Sequence, residues 1–152
     1  MGIAAYDLSQ HVIRPTLIYL GRHSPSAEAL LLGAAASQSD LGSALDDSRG
    51  YGLYRIAALR HQQLWDRHLA LDPELASQHA FLAAPHLELT VNLRYATAIA
   101  WLMVEAQKSP LPAADDLLGL ARVWQQVFQP RGRLRDFTEA WKRCVGNISQ
   151  VA

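Results

Sequence analysis

The stretch AEALLLGAAASQSDLGSALDDSRGYGLYRI, residues Ala27–Ile56, decides how the rest of the chain is read. Ser24 or Ser26 offers a capping hydroxyl just before it, Pro25 fits a first helical turn, and Glu28 suits the positive end of the helix dipole. From Ala27 to about Gln38 nearly every position is apolar or small, so no face of this helix is left for water. A helix of that kind belongs at the centre of a core. Gly33 to Ala36 are small enough to let another helix approach closely. The composition then changes abruptly. Ser39 to Gly52 is rich in Gly, Ser and Asp and reads as loop, and Leu53 to Ile56 as a few residues of strand or a tight turn. Gln38 therefore stands where a buried helix reaches the rim of a groove.

Outward from this core the chain reads as helices. Leu8 to Leu20 is apolar at helical spacing but contains Pro15, which breaks a helix interior and is tolerated at its start. The expectation is a short turn near Ser9–Ile13 and a helix from Pro15 to Gly21. Further helices are expected over Ala57–Leu71, from Pro73 to Leu82 behind an Asp72 cap, over His86–Ala106, from Asp115 and Asp116 to Phe128, and over Leu134–Val145, ended by Gly146. The fold class is mainly α, with at most a vestigial β-hairpin, in a single domain spanning 1–152. With 152 residues, half of them hydrophobic, the chain suits one sizeable core rather than a disordered tail. Fourteen basic residues balance fourteen acidic ones, which lacks the electrostatic footprint of a nucleic-acid binder. Cys144 is the only cysteine, so no intrachain disulfide forms, and it reads as a small buried hydrophobe. The first residues lack the basic and apolar blocks of a signal peptide, and no apolar run reaches about eighteen residues, so no membrane span is expected.

The side chains that carry chemistry are few. A general acid for glycosidic cleavage is a carboxyl group whose pKa an apolar pocket has raised. The amide of Gln38 has no proton to give, and the nearest carboxylates, Asp40, Asp46 and Asp47, sit in a loop where Asp commonly caps turns. None of the six histidines falls at the i, i+4 spacing of a helical zinc pair and no Cys joins them, so neither a metal nor a cofactor is expected. Trp65, Trp101, Trp124 and Trp141 are able to stack on sugars, although Trp101 and Trp141 sit in apolar helical patterns that suit the core. Tyr51 and Tyr54 flank Gly52 in a loop and suit a groove as well as a core.

The two halves of the opening stretch, Ala27–Gly42 and GYGLYRI (Gly50–Ile56), together resemble the core of the lysozyme-like superfamily, in particular phage-encoded proteins related to soluble lytic transglycosylases. Their pattern is a helix ending in Gln-Glu-Ser or similar, then Leu-Gly, a variable loop, and Gly-Leu-aromatic-Gln. Here those positions read Ser37-Gln38-Ser39, Leu41-Gly42 and Gly52-Leu53-Tyr54-Arg55. HQQLWDRHLALDPELA (His61–Ala76), NLRYATAIAW (Asn92–Trp101) and LARVWQQVFQPRGRLRDF (Leu120–Phe137) are similar to the group's later helices. The likeness runs from about Pro15 to Trp141. It implies a lysozyme-like domain acting on peptidoglycan glycan strands by substrate-assisted cleavage, which needs one carboxyl group. It also implies a phage protein carried in the virion among tail or ejection proteins, made in the host cytoplasm and acting at the periplasm and cell wall. By the same likeness Ser39, Tyr51, Leu53, Tyr54, Arg55, Asn92 and Tyr95 flank the sugar. Two positions depart from the pattern. The family's catalytic Glu falls on Gln38, and its Gln beside the sugar falls on Arg55; Asp40 is the fallback acid if the alignment slips. Two losses at one site favour a structural or glycan-binding part over an active glycosidase. The alternative, an active lytic transglycosylase or a copy inactivated by a Glu-to-Gln change, stays open.

Overall fold

The computed structural model describes residues 2–47, 49–67, 86 and 88–146, and it is mainly helical. Helix α1 (Ala5–Leu8) leads through a π turn (Ser9–Ile13) into α2 (Arg14–Tyr19). The central helix is α3 (Pro25–Ser39). A two-residue antiparallel ladder, β1 (Asp46–Asp47) with β2 (Gly50–Tyr51), precedes α4 (Ala58–Arg67). Then come α5 (Glu88–Val91), α6 (Leu93–Ala106), α7 (Leu117–Val127) and α8 (Leu134–Ala140), which runs into a second π turn (Trp141–Val145).

Helix α3 is capped as its sequence asks: the Ser24 hydroxyl accepts from the Ala27 N–H at 3.0 Å and Pro25 opens the first turn. Leu30, Leu31, Leu32 and Ala34 to Ala36 are all buried. The helix packs against α2, α6, α7, α8 and both π turns, which is why no polar face survives on it. At Gly33 the Phe137 ring of α8 packs directly on the helix. A Cβ there would lie 2.2 Å from Cζ of Phe137. The helix ends through two non-glycine residues in the left-handed region, Asp40 (φ 54°) and Leu41 (φ 56°). Their N–H groups close on the carbonyls of Ala36 at 3.0 Å and Ala35 at 3.2 Å, satisfying acceptors that the last turn would orphan.

Two expectations about helix boundaries need correction. Pro15 does not begin a helix; the chain is helical on both sides of it, and the backbone widens at Ser9–Ile13 instead of breaking. Proline lacks an N–H and its ring crowds the carbonyl four residues back, and a π turn there relieves the crowding. The Arg14 N–H reaches back to Ser9, and the Thr16 hydroxyl takes the Val12 carbonyl at 2.7 Å. The expected helix His86–Ala106 is two helices, with Asn92 in an extended conformation between them (φ −116°, ψ 98°). Its side chain caps α6 by accepting from the Tyr95 N–H at 3.0 Å, and donates to Glu88 Oε1 at 2.8 Å. The end of the expected Ala57–Leu71 helix and all of the Pro73–Leu82 helix lie outside the described residues. Among the described residues no helix is long and apolar enough to cross a membrane.

The ladder pairs Asp46 with Tyr51 and Asp47 with Gly50, and a bridge then joins Tyr51 to Ile56 through two 3.0 Å backbone bonds. That bridge closes Gly52 to Arg55 into a tight turn. The turn is pressed onto α5 and against the end of α3, and this junction positions the candidate site.

Candidate functional site

Residues 38 and 39 stitch the end of α3 to the Gly52–Arg55 turn. Gln38, only 6% exposed, donates from Nε2 to the Tyr54 carbonyl at 3.2 Å. The Ser39 hydroxyl donates to the Leu53 carbonyl at 2.6 Å and accepts from the Gly42 N–H at 3.0 Å. Because a carbonyl can only accept, Nε2 faces Tyr54 and Oε1 is the amide atom available to a ligand.

Beside Gln38 lies a cavity of about 450 Å³ walled by Trp124, Gln129, Arg131 and Gly132 from the α7–α8 junction, by Asp136, Glu139 and Arg143 from α8 and the turn beyond it, and by Arg49 from the hairpin. A second cavity of about 280 Å³ shares Arg49 and Gln129 with the first and continues along Arg55, Arg60, Met103 and Phe128. The two cavities adjoin at Arg49 and Gln129, and the first is the groove beside the end of α3. Its α7–α8 wall is tightly built. A Cβ at Gly132 would come within 2.8 Å of the Trp124 ring, and Gln125 Nε2 holds the Gly132 carbonyl at 2.7 Å.

Several residues expected to flank a sugar do not line these two cavities. Ser39, Leu53, Tyr54 and Tyr95 are buried, and none of them lines either cavity. A buried phenol needs a partner for its hydroxyl, and both find one inside the protein. Tyr54 meets Thr97 Oγ1 at 2.9 Å and Tyr95 meets His61 Nε2 at 2.7 Å. Burial pushes the pKa of both phenols up, and the charge of Glu88 adds to the effect at Tyr95. Tyr51 stacks on His86 with ring centroids 5.7 Å apart, and Asn92 is spent on capping α6. Arg55 lies in the second cavity, not beside Gln38, and its Nη2 donates to the Ala44 carbonyl at 2.7 Å. Of the expected set, Gln38 lines the first cavity and Arg55 the second.

The fallback acid does not have an acid's surroundings. Asp40 is exposed, and its carboxyl is held below the usual range by hydrogen bonds from the Cys144 thiol (3.0 Å) and from Arg143, whose Nη2 lies at 2.9 Å. A general acid needs the opposite shift. Cys144 is half-buried, and burial and the Asp40 contact raise its thiol pKa, so it is a poor nucleophile. Among the described residues no group of three His, Cys, Asp or Glu side chains is placed to hold a metal ion.

The groove residues missed in the sequence are Arg49, Arg131, Asp136 and Glu139. Asp136 and Glu139 are spaced i, i+3, with Arg143 a further turn on, so one face of α8 and its extension carries all three. Asp136 also accepts from the Arg133 N–H at 3.0 Å and so caps α8. Arg131 sits in the turn QPRGR, whose composition announces a turn and not a cavity wall. No protein-family model, curated protein or solved structure matches the chain.

Proposed function

We propose that this chain is a lysozyme-like phage virion protein that holds peptidoglycan glycan strands without cutting them. The observation that carries the reading is Gln38: the last turn of an all-apolar central helix presents an amide, and not a carboxyl, to a groove bounded by the hairpin and the α7–α8 junction. The amide's Oε1 accepts a hydrogen bond from a sugar N–H or hydroxyl, while Nε2 stays fixed by Tyr54. General acid catalysis is typically worth about 10²–10⁴-fold in rate, and Gln38 supplies none of it. Asp40 does not replace it, since its partners stabilise the ionised form. The protein then works at the cell wall during infection, beside tail or ejection proteins, as an anchoring or guiding part.

The test is co-sedimentation with purified sacculi, with release of soluble fragments followed in the same tube. The expected result is sedimentation with no fragments released. Gln38→Glu should restore little cleavage, because Arg49, Arg131 and Arg143 wall the same cavity and would keep a carboxylate ionised. Fragment release by the unmodified chain, or failure to sediment, overturns the proposal.

A further inference from the structure

The second cavity, of about 280 Å³, holds a cation with nothing to pair with. Arg60, in the first turn of α4, lines it, and among the described residues its guanidinium meets no acceptor. Its Nε is also sealed from water. The side chain is half-buried, so it gives up part of its hydration without gaining a partner, a cost that a bound anion offsets. Beside it the side-chain amide of Gln129 also has no partner, and Met103, Val127 and Phe128 supply an apolar wall. Arg49 and Arg55 border the same cavity, and both are engaged by other groups. A mostly apolar wall with two unpartnered polar groups, one of them charged, is the build of a site for a small amphipathic anion.

We infer that this cavity captures the free C-terminus of a partner polypeptide that ends in an apolar residue. The terminal carboxylate lies across the Arg60 fork, which takes it through two parallel hydrogen bonds. The last peptide N–H donates to Gln129 Oε1, and the last side chain packs on Met103, Val127 and Phe128. Capture of a terminal carboxylate is a recurring mode of peptide recognition, and a space of this size admits one terminal residue and not a whole helix or strand. Inorganic phosphate makes no use of the apolar wall, a neutral sugar gives Arg60 no charge, and a peptide ending in alanine leaves the wall uncovered. The inference does not rest on the glycan reading.

The experiment is an NMR titration of the isotope-labelled full chain, followed at the Arg60 Nε–H and Met103 methyl signals. The probes are acetyl-Gly-Ala-Leu with a free carboxylate, the same peptide as its C-terminal amide, acetyl-Gly-Ala-Gly with a free carboxylate, a cell-wall stem tetrapeptide ending in D-alanine, and inorganic phosphate. The leucine acid should move both signals and bind about ten-fold or more tightly than each of the others. Arg60→Gln should abolish the preference for acid over amide. Arg60→Lys, which keeps the charge without the fork, should retain part of it, and thermal melts check that both variants fold. The comparison of acid with amide on the unmodified chain needs no variant. Equal binding of acid and amide, or no movement of either signal with the leucine acid, overturns the inference. So does equal binding of the leucine and glycine acids, which removes the apolar wall from recognition. Phosphate binding as tightly as the leucine acid overturns it in favour of a simple anion site. Tighter binding of the stem tetrapeptide overturns it in favour of a cell-wall ligand. None of these outcomes bears on sedimentation with sacculi, which tests the glycan reading separately.

Discussion

Gly52 fixes the geometry of the groove without touching it. Its φ is +79°, and a Cβ at this position would lie 1.9 Å from the Leu89 carbonyl oxygen. The turn that presents the Tyr54 carbonyl to Gln38 is thus jammed against α5, and only a residue with no side chain fits. Gly52→Ala combines left-handed strain with overlap against backbone, so it should cost about 2–6 kcal/mol, read as a lower urea midpoint at unchanged slope. An unchanged midpoint would mean the turn is not seated on α5. Ser39 makes the complementary point. Its hydroxyl is the partner of the buried Leu53 carbonyl, so Ser39→Ala should cost about 1–3 kcal/mol even with no ligand present. Both residues stand out in the sequence, yet their roles were only half legible there. Gly52 reads as a turn residue from its neighbours. Ser39, Tyr54 and Tyr95 are set beside the sugar by the family likeness, and a likeness does not reveal whether the partner of a polar group is a sugar, a backbone carbonyl, a histidine or a threonine 43 residues away.

At the scale of elements, what the sequence makes plain is whatever depends on burial alone. An apolar ring on all sides of Ala27–Gln38, with a Ser-Pro start, has one stable placement, and α3 occupies it. Leu31→Ala should therefore cost about 2–5 kcal/mol, and Leu59→Ala on the outer face of α4, where Leu59 is 71% exposed, should stay within about 0.5 kcal/mol. Similar small losses at both positions would remove α3 from the centre. What stays hidden is whatever depends on donor and acceptor accounting. Pro15 announces a missing N–H, but whether the helix breaks or widens around it depends on which carbonyls find other donors, and here Thr16 and Arg14 supply them. Asn92 lies inside a run that would pass as one long helix. Only its capping of Tyr95 and its bond to Glu88 show why the chain bends there.

The whole molecule is drawn together by ion pairs between segments distant in sequence, and no periodicity in the chain points to them. Glu28, in the first turn of α3, receives Arg14 Nε and Nη2 at 3.0 Å, the Ser9 hydroxyl, and His23 Nε2 at 2.9 Å, so it clamps the N-terminal helices to the core. At the other end of α3, Asp40 clamps the C-terminal π turn through Arg143. Among the described residues, these two carboxyls are the ones held below their ordinary pKa. Burial alone would raise the pKa of Glu28, but the hydrogen bonds from Arg14, Ser9 and His23 outweigh it and leave the carboxyl below its ordinary value. Asp40 is lowered as well, by Cys144 and Arg143. A carboxyl depressed in the folded state binds its proton less readily there than in the unfolded chain, where it titrates near about 4. Its contribution is then complete above that unfolded value and is lost as pH falls through the lower, folded value. The transition temperature should accordingly hold steady with respect to these two groups above about pH 5 and fall below it. Glu28→Gln should melt lower at pH 7, because its amide cannot satisfy Arg14 and His23 together as an anion does, and its melting temperature should fall less steeply on acidification. Asp40→Asn should show the same pattern more weakly, since its pair is exposed to water and screened by salt. Identical acid slopes in the parent and in Glu28→Gln would mean that the clamp at the start of α3 does not set the pH response, and that the charge pair joining the two ends of the chain to the core is elsewhere.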